Sequence, residues 1–266
     1  MARVGLIGLG AIGEAVLEAR TKGSLPGVDI VAVLVRRPRP QSRRGETEIT
    51  SNPAHFFAHR MDAVLECAGH QAVRDHAERA IAAGADLMVT SVGAFTDEVF
   101  LQRVLDAARL ARKRIILPSA GIGALDILSA GAVGGLEEVE IEVRKDAPSW
   151  KGTAAEREHD LNRLKTPVVL FDGPVREGAK RYPQNVNISA AVALAGIGLD
   201  KTRLRIVADP TIDTHLVTVS ARGAFGEFRF VEDVIPSAQN RKTGKLVAMA
   251  VVKTLRQLEA TLVVGA

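Results

Sequence analysis

The chain has 266 residues, of which 47% are hydrophobic, 25% are charged and only 4% are aromatic, and its formal net charge is +4. This length allows two domains of about 100–200 residues each, and no apolar run reaches the roughly 18 residues that a membrane helix needs. The dispersed basic residues and scarce aromatic residues argue against nucleic-acid binding. Since the first strand starts at the N-terminus and Cys67 is the one cysteine, we expect no signal peptide and a cytoplasmic location.

The first half of the chain alternates between apolar strands and alanine-rich helices. Helices are predicted over 71–83 and 97–111, and strands over 3–7, 29–35, 62–67, 86–90 and 114–117. Apolar strands that alternate with helices predict a doubly wound parallel sheet of the Rossmann type, and therefore an α/β fold. We assign residues 1–118 to a dinucleotide-binding domain.

The pattern changes after Pro118, where apolar and charged residues alternate over 139–144. Further strands are predicted over 168–171, 203–208, 214–222 and 225–231, and helices over 187–198 and 241–259. Period-two alternation indicates a second α+β domain, built on a mainly antiparallel sheet. We assign 119–236 to substrate binding and dimerisation, and we expect 237–266 to pack back on the first domain.

A glycine motif joins the first strand to the first predicted helix. Gly8 allows a tight turn, Gly10 lets the backbone approach a pyrophosphate, and Gly13 lets helix and strand pack closely. With the N–H groups of Ala11 and Ile12 at the helix start, these residues are predicted to bind a dinucleotide.

The second strand ends without the carboxylate that usually binds the ribose 2′-hydroxyl of NAD. Arg36 and Arg37 stand there instead, and guanidinium groups suit a 2′-phosphate. We therefore expect NADP to be used at least as well as NAD, the alternative being a solvated basic loop.

Two loops at the carboxyl ends of later strands, 67–70 and 91–95, are also placed for cofactor binding. In the first loop Cys67, Ala68 and Gly69 are predicted to contact the cofactor. The alternative for Cys67 is a small buried hydrophobic residue.

Six segments carry a resemblance to a known family, and they follow one another along nearly the whole chain: Gly5–Gly13, Glu66–His70, Ser91–Ala94, Leu117–Asp126, Tyr182–Asn187, and Asp209-Pro210 with His215 beyond. In this order they resemble the L-aspartate dehydrogenase family, whose enzymes are linked to NAD biosynthesis. The resemblance implies reversible oxidation of L-aspartate to iminoaspartate, then oxaloacetate and ammonia. It also implies His215 as the catalytic residue, and Gly121 and Asn187 as cofactor contacts.

Other roles remain open for these positions. Asn187 also fits a helix N-cap, and a histidine in a strand is often structural. If His215 handles protons, Asp209 or Asp213 would orient it.

A dicarboxylic amino acid needs cations and hydroxyl donors around its carboxylates. His70, Lys151 and Thr153 are the predicted substrate-binding residues, with Arg144 and Lys145 as further candidates. A solvated surface position is the alternative for each charged residue. The six histidines show no ligand spacing, so no metal site is predicted.

Two other functions compete with the dehydrogenase. The segment 144–154 is similar to a dihydrodipicolinate reductase signature, interrupted at Trp150-Lys151 and without the family's upstream histidine pair. An imine reductase dependent on NADPH is therefore one alternative, and a non-catalytic dinucleotide sensor is the other. The second sheet needs a covered face, so a homodimer is predicted.

Overall fold

The computed structural model describes residues 1–38, 42–119, 122–183, 186–235 and 246–265. The chain divides into two structural units, Met1–Ala120 with Ala248–Ala266, and Gly121–Val247. Among the described helices, none combines the length and the apolar character needed to cross a membrane.

The first unit contains a seven-stranded sheet in the order β3-β4-β2-β1-β5-β6-β7. Its strands are β1 (Ala2–Ile7), β2 (Val28–Leu34), β3 (Arg43–Arg44), β4 (Thr47–Thr50), β5 (Ala63–Glu66), β6 (Asp86–Val89) and β7 (Ile115–Ile116). All pairings are parallel except the β3–β4 hairpin. The chain reverses its winding direction between β1 and β5, and in such sheets ligands bind at the carboxyl ends beside this point.

Four helices connect these strands: α1 (Ala11–Thr21), α2 (Pro53–Ala58), α3 (His70–Ala82) and α4 (Glu98–Ala111). A short 3-10 helix covers Val92–Thr96. The C-terminal helix (Leu246–Gln257) places Val251 and Leu255 in the same apolar core as Val4, Leu6 and Leu65.

The second unit is built on a five-stranded sheet in the order β12-β11-β8-β10-β9. Its strands are β8 (Leu136–Lys145), β9 (Val168–Pro174), β10 (Arg203–Ala208), β11 (His215–Gly223) and β12 (Gly226–Val234). The helices are α5 (Leu125–Gly134), α6 (Ala155–Glu158), α7 (Val175–Arg181) and α8 (Asn187–Ala195), with a 3-10 helix at Ala147–Trp150. Three of the four pairings are antiparallel and β8–β10 is parallel.

The two faces of this sheet differ in chemistry, as the alternation over 139–144 predicts. Val139, Ile141 and Val143 are buried on one side, called the inner face below. The residues between them, among them Glu140 and Glu142, lie on the other side, called the outer face.

The predicted fold class is confirmed: a parallel doubly wound sheet and a second, mainly antiparallel sheet. The parallel β8–β10 pairing was not predicted, nor were α5 and the β3–β4 hairpin. In α5, Gly131 lowers helix propensity, but a Cβ there would lie 3.0 Å from the Phe225 ring, so packing explains the glycine.

The predicted helix 187–198 is too long. It ends at Ala195, because Gly196 follows as the C-cap and Gly198 has a φ of +87°. The start of the helix predicted over 241–259 lies outside the described residues.

Candidate active site

The glycine loop after β1 is shaped by two close approaches of the protein backbone. Gly8 has a φ of +106°, and a Cβ there would lie 2.9 Å from both the Cys67 carbonyl oxygen and the Ala68 Cβ. A Cβ on Gly13 would lie 2.5 Å from the Gly8 carbonyl oxygen. These two glycines are therefore required by the packing of the loop itself.

Gly10 is different, because a Cβ there would meet no protein atom within 4 Å. It is exposed and caps α1 without any side-chain hydrogen bond. The first N–H groups of a helix, here those of Ala11 and Ile12, have no acceptor within the helix. An open glycine before free helix N–H groups fits a dinucleotide pyrophosphate, and these residues would hold it.

Glu66, at the end of β5, organises the neighbouring loop, although only 1% of it is exposed. The N–H groups of Ala68 and Gly69 each donate to Oε1 at 2.7 Å. Ser91 donates from its hydroxyl to Oε1 at 2.9 Å and from its N–H to Oε2 at 3.0 Å. Any cofactor contact by Ala68 or Gly69 therefore has to use atoms other than these N–H groups.

Cys67 fits the alternative of a small packed residue. Its Sγ lies 3.4 Å from the carbonyl oxygens of Ile7 and Gly8. Burial raises the pKa of this thiol, and the neighbouring Glu66 raises it further, so it remains protonated. The thiol is thus suited to filling space behind the glycine loop.

Arg36 and Arg37 follow β2 and are exposed. They stand at the carboxyl edge of the sheet, where the 2′-position of a bound dinucleotide is expected. A third arginine, Arg44 in β3, forms an ion pair with Glu14 in the first turn of α1, with 2.5 Å between its guanidinium and the Glu14 carboxylate.

In the second unit, His215 is the first residue of β11 and only 4% of it is exposed. The strand register places it opposite Lys145 on β8 and opposite Val234 on β12. Residues directly opposite in antiparallel strands point to the same face, with Cβ atoms about 4.5–5.5 Å apart. His215 and Lys145 are therefore neighbours on the inner face.

Lys145 is as deeply buried as His215, with only 3% of it exposed, and its Nζ lies 5.6 Å from the centre of the Trp150 ring. This distance is within the range of a cation–π interaction. Trp150 is itself fully buried and packs edge-on against Tyr182. The lysine ammonium thus lies against an aromatic ring, on the same face of the sheet as the histidine.

Glu232 is a further ionisable residue on the inner face of β12, opposite Val217. Its Oε2 accepts a hydrogen bond from the Gly123 N–H at 3.1 Å, and Oε1 has no partner among the described residues. Burial raises the pKa of Glu232, while the Gly123 N–H opposes that rise. Sequence reasoning missed Glu232. The available signal was its spacing of two residues from Phe230 and four from Phe228, which puts an acidic side chain on the same face of the strand as two aromatic ones.

Arg144 points to the outer face, away from His215. Its guanidinium bonds Glu142 at 3.0 Å and Asp209 at 2.9 Å. Burial alone would raise the pKa of Asp209, but hydrogen bonds from Thr211 and Arg144 bring it below its usual value. These contacts form a structural ion-pair cluster, which commits Arg144 and Asp209 to each other.

The predicted substrate residues are divided between the two structural units. Lys151 is exposed at the end of the 3-10 helix, and the Thr153 hydroxyl donates to the Trp150 carbonyl at 2.6 Å within the same turn. His70 begins α3 in the first unit. The structure does not bring these three together within one unit.

Asn187 is the first residue of α8, and the residue that caps this helix is Val186. The alternative role of Asn187 as an N-cap is therefore wrong. Gly121, the other predicted cofactor contact, lies outside the described residues. Among the residues that the structure describes, no three His, Cys, Asp or Glu side chains are grouped to hold a metal ion.

Two family models match consecutive parts of the chain. Residues 8–118 match "Homoserine dehydrogenase, NAD binding domain", and residues 126–258 match "Aspartate dehydrogenase, C-terminal". An L-aspartate dehydrogenase of Pseudomonas aeruginosa is 41% identical, over 96% of this chain and 97% of the relative. The chain belongs to the L-aspartate dehydrogenase family. The resemblance inferred from the six sequence segments is thereby confirmed.

Further comparisons place this family member among solved structures. The L-aspartate dehydrogenase of Ralstonia nicotianae is 39% identical, with the same coverage. A crystal structure of aspartate dehydrogenase from Thermotoga maritima superposes with a TM-score of 0.77, at 26% identity and 99% coverage of both chains. A dihydrodipicolinate reductase from Paenisporosarcina is 15% identical with a TM-score of 0.56, covering 97% of this chain and 94% of that one, and shares the fold alone.

Proposed function

We propose that this protein is an L-aspartate dehydrogenase that uses NAD or NADP. It would oxidise L-aspartate to iminoaspartate, which water converts to oxaloacetate and ammonia. The observation that carries the proposal is the buried His215 at the start of β11, within the part of the chain that matches the C-terminal aspartate dehydrogenase model. The full-length identity of 34–41% to L-aspartate dehydrogenases supports it.

In the proposed reaction His215 takes a proton from the substrate ammonium group. The bound nicotinamide supplies the hydride acceptor for the substrate Cα. Loss of that hydride and that proton leaves a C=NH2+ bond. Once the His215 imidazolium has released its proton to solvent, the neutral imidazole can accept a proton from the water molecule that attacks this carbon. An imidazole suits both steps, since its unperturbed pKa is about 6.5.

The cofactor preference rests on Arg36 and Arg37. Both are exposed at the end of β2, and we propose that they bind a 2′-phosphate and so favour NADP. Further predicted cofactor contacts are those of Cys67, Ala68, Gly69, Gly121 and Asn187. The cytoplasmic location also stays a prediction.

A panel of amino acids and keto acids, assayed with both cofactors, tests the proposed function. We expect turnover of L-aspartate, and of oxaloacetate with ammonia in reverse. His215→Ala should lower kcat by at least about 100-fold, the range for loss of general acid–base catalysis, and leave cofactor affinity nearly unchanged. His55→Ala, in an exposed histidine of the first unit, is the control.

Other outcomes of this panel would favour the alternatives. Reduction of a cyclic imine without turnover of L-aspartate would indicate a reductase of the dihydrodipicolinate type. Nucleotide binding with no turnover of any substrate would indicate a sensor. Undiminished turnover in His215→Ala would remove this residue from the mechanism.

A second experiment tests the cofactor assignment. The double variant Arg36→Ala/Arg37→Ala should weaken NADPH binding by about 10-fold or more and leave NADH binding nearly unchanged, because only the 2′-phosphate contacts are lost. Fluorescence titration of both nucleotides measures this. Arg163→Ala, at an arginine that is 87% exposed, is the control. Equal weakening of both nucleotides, or a strong preference of the wild type for NADH, would contradict the assignment.

A further inference from the structure

Lys145 and His215 lie close enough on one face of the sheet for a single small ligand to contact both side chains. The two residues are direct cross-strand neighbours on the inner face, so their Cβ atoms are about 4.5–5.5 Å apart. A ligand whose ammonium group reaches the His215 imidazole therefore brings a carboxylate within reach of the flexible Lys145 side chain.

The surroundings of this pair strengthen any charge interaction made there. Both residues are at least 96% buried, and Val143 and Val217 continue the same face as apolar neighbours. Trp150 lies against the lysine ammonium. Charges attract each other more strongly where water is excluded, so the Lys145 ammonium can help to offset the cost of removing a substrate carboxylate from water.

The other basic residues of this region are less suited to the task. Arg144 is occupied by Glu142 and Asp209 on the outer face. Lys151 is exposed, where an ion pair contributes little. Lys145 is the basic residue that the strand register places beside His215.

We propose that Lys145 is a substrate-binding residue that holds a carboxylate of the dicarboxylic amino acid while the ammonium group faces His215. The inference rests on the proposed function, with His215 as the base. It assigns substrate recognition to the inner face at β8 and replaces Lys151 in that role.

Steady-state kinetics of Lys145→Met test the proposal. Methionine is unbranched and only one atom shorter than lysine, so it can still pack against Trp150, but it has no charge. We expect KM for L-aspartate to rise by about 10-fold to 100-fold, the effect of losing a charge-assisted hydrogen bond, with a smaller change in kcat. Lys145→Arg, which keeps the charge, should recover part of the loss.

Calorimetric binding of succinate provides a measurement that needs no turnover. Succinate carries two carboxylates but no amine, and Lys145→Met should weaken its binding by a similar factor. Lys201→Met, at an exposed lysine of the same unit, is the control and should bind like the wild type. Thermal unfolding of each variant establishes that it is folded.

Two results would overturn the proposal: an unchanged KM and succinate affinity in folded Lys145→Met, or a loss that follows Lys151→Met instead. If Lys145→Met does not fold, Lys145→Arg and Lys151→Met decide the question. Weakened but measurable succinate binding in Lys145→Arg, with wild-type affinity in Lys151→Met, supports the role, whereas binding in Lys145→Arg that is no weaker than in Lys151→Met overturns it. Failure of the proposed function is seen separately, as absence of L-aspartate turnover in the wild type.

Discussion

At the scale of single residues, the glycine motif separates into structural and functional positions. Gly8 and Gly13 are needed because protein atoms occupy the space where a side chain would lie. Gly10 faces open space, so the protein's own packing does not explain it. The sequence motif alone gives all three the same weight, and only the structure distinguishes them.

Alanine substitutions at Gly13 and Gly10 should therefore affect different properties, the first the stability of the protein and the second its affinity for the cofactor. Gly13→Ala should destabilise the protein by about 1–3 kcal/mol, because its Cβ would overlap the Gly8 carbonyl. Gly10→Ala should change stability by less than about 1 kcal/mol, but weaken cofactor binding by about 10-fold or more. Urea denaturation and nucleotide titration measure the two effects, and each variant is the control for the other. Wild-type nucleotide affinity in Gly10→Ala would contradict the role of this residue.

At the scale of elements, the sequence predicts where a strand lies and which of its faces is buried better than it predicts which strand pairs with it. Alternation over 139–144 correctly predicts that one face of β8 is buried, because side chains in a strand alternate. It cannot predict that β11 starts its pairing at Lys145, since register depends on contacts between distant segments. The family resemblance predicts a role for His215, whereas Lys145, which the register places beside it, was only one of several candidate cations.

Glu66 illustrates the same limit in the first unit. Its place in the Glu-Cys-Ala-Gly-His segment was recognised, but its four hydrogen bonds to the 68–69 loop and Ser91 depend on how β5 and β6 pair. A carboxylate at the end of an otherwise apolar strand was the available signal. The role of this buried carboxylate follows only from the structure, which shows the backbone N–H groups and the Ser91 hydroxyl that donate to it.

The C-terminal helix allows a test at the same scale. Leu255 is fully buried in the core of the first unit, whereas Met249 in the same helix is 63% exposed. Leu255→Ala should lower the free energy of unfolding by about 2–5 kcal/mol. Met249→Ala, the matched control, should change it by less than about 0.5 kcal/mol. Urea denaturation checks both, and equal effects would contradict the packing of this helix in that core.

At the scale of the whole molecule, the two units carry different parts of the proposed chemistry. The first unit supplies an open glycine and free helix N–H groups for a dinucleotide. The second supplies the buried imidazole and ammonium of His215 and Lys145. In its sheet β12 is an edge strand with no second partner strand among the described residues, and edges of this kind are often closed by pairing with another chain.

We expect this edge to belong to the interface of a homodimer. Val231 is 51% exposed and lies on the outer face of β12, which is nine residues long. In a twofold interface each subunit contributes the same residues, so a single lysine substitution places two like charges in the interface. The wild type should have about twice the chain mass of 28.3 kDa in solution, and Val231→Lys should shift the protein toward the mass of one chain. Light scattering after size-exclusion chromatography measures this, with Val99→Lys, at an exposed valine of the first unit, as the control. A wild type that stays at the mass of one chain would contradict the dimer, and a dimer that persists in Val231→Lys would place its interface elsewhere.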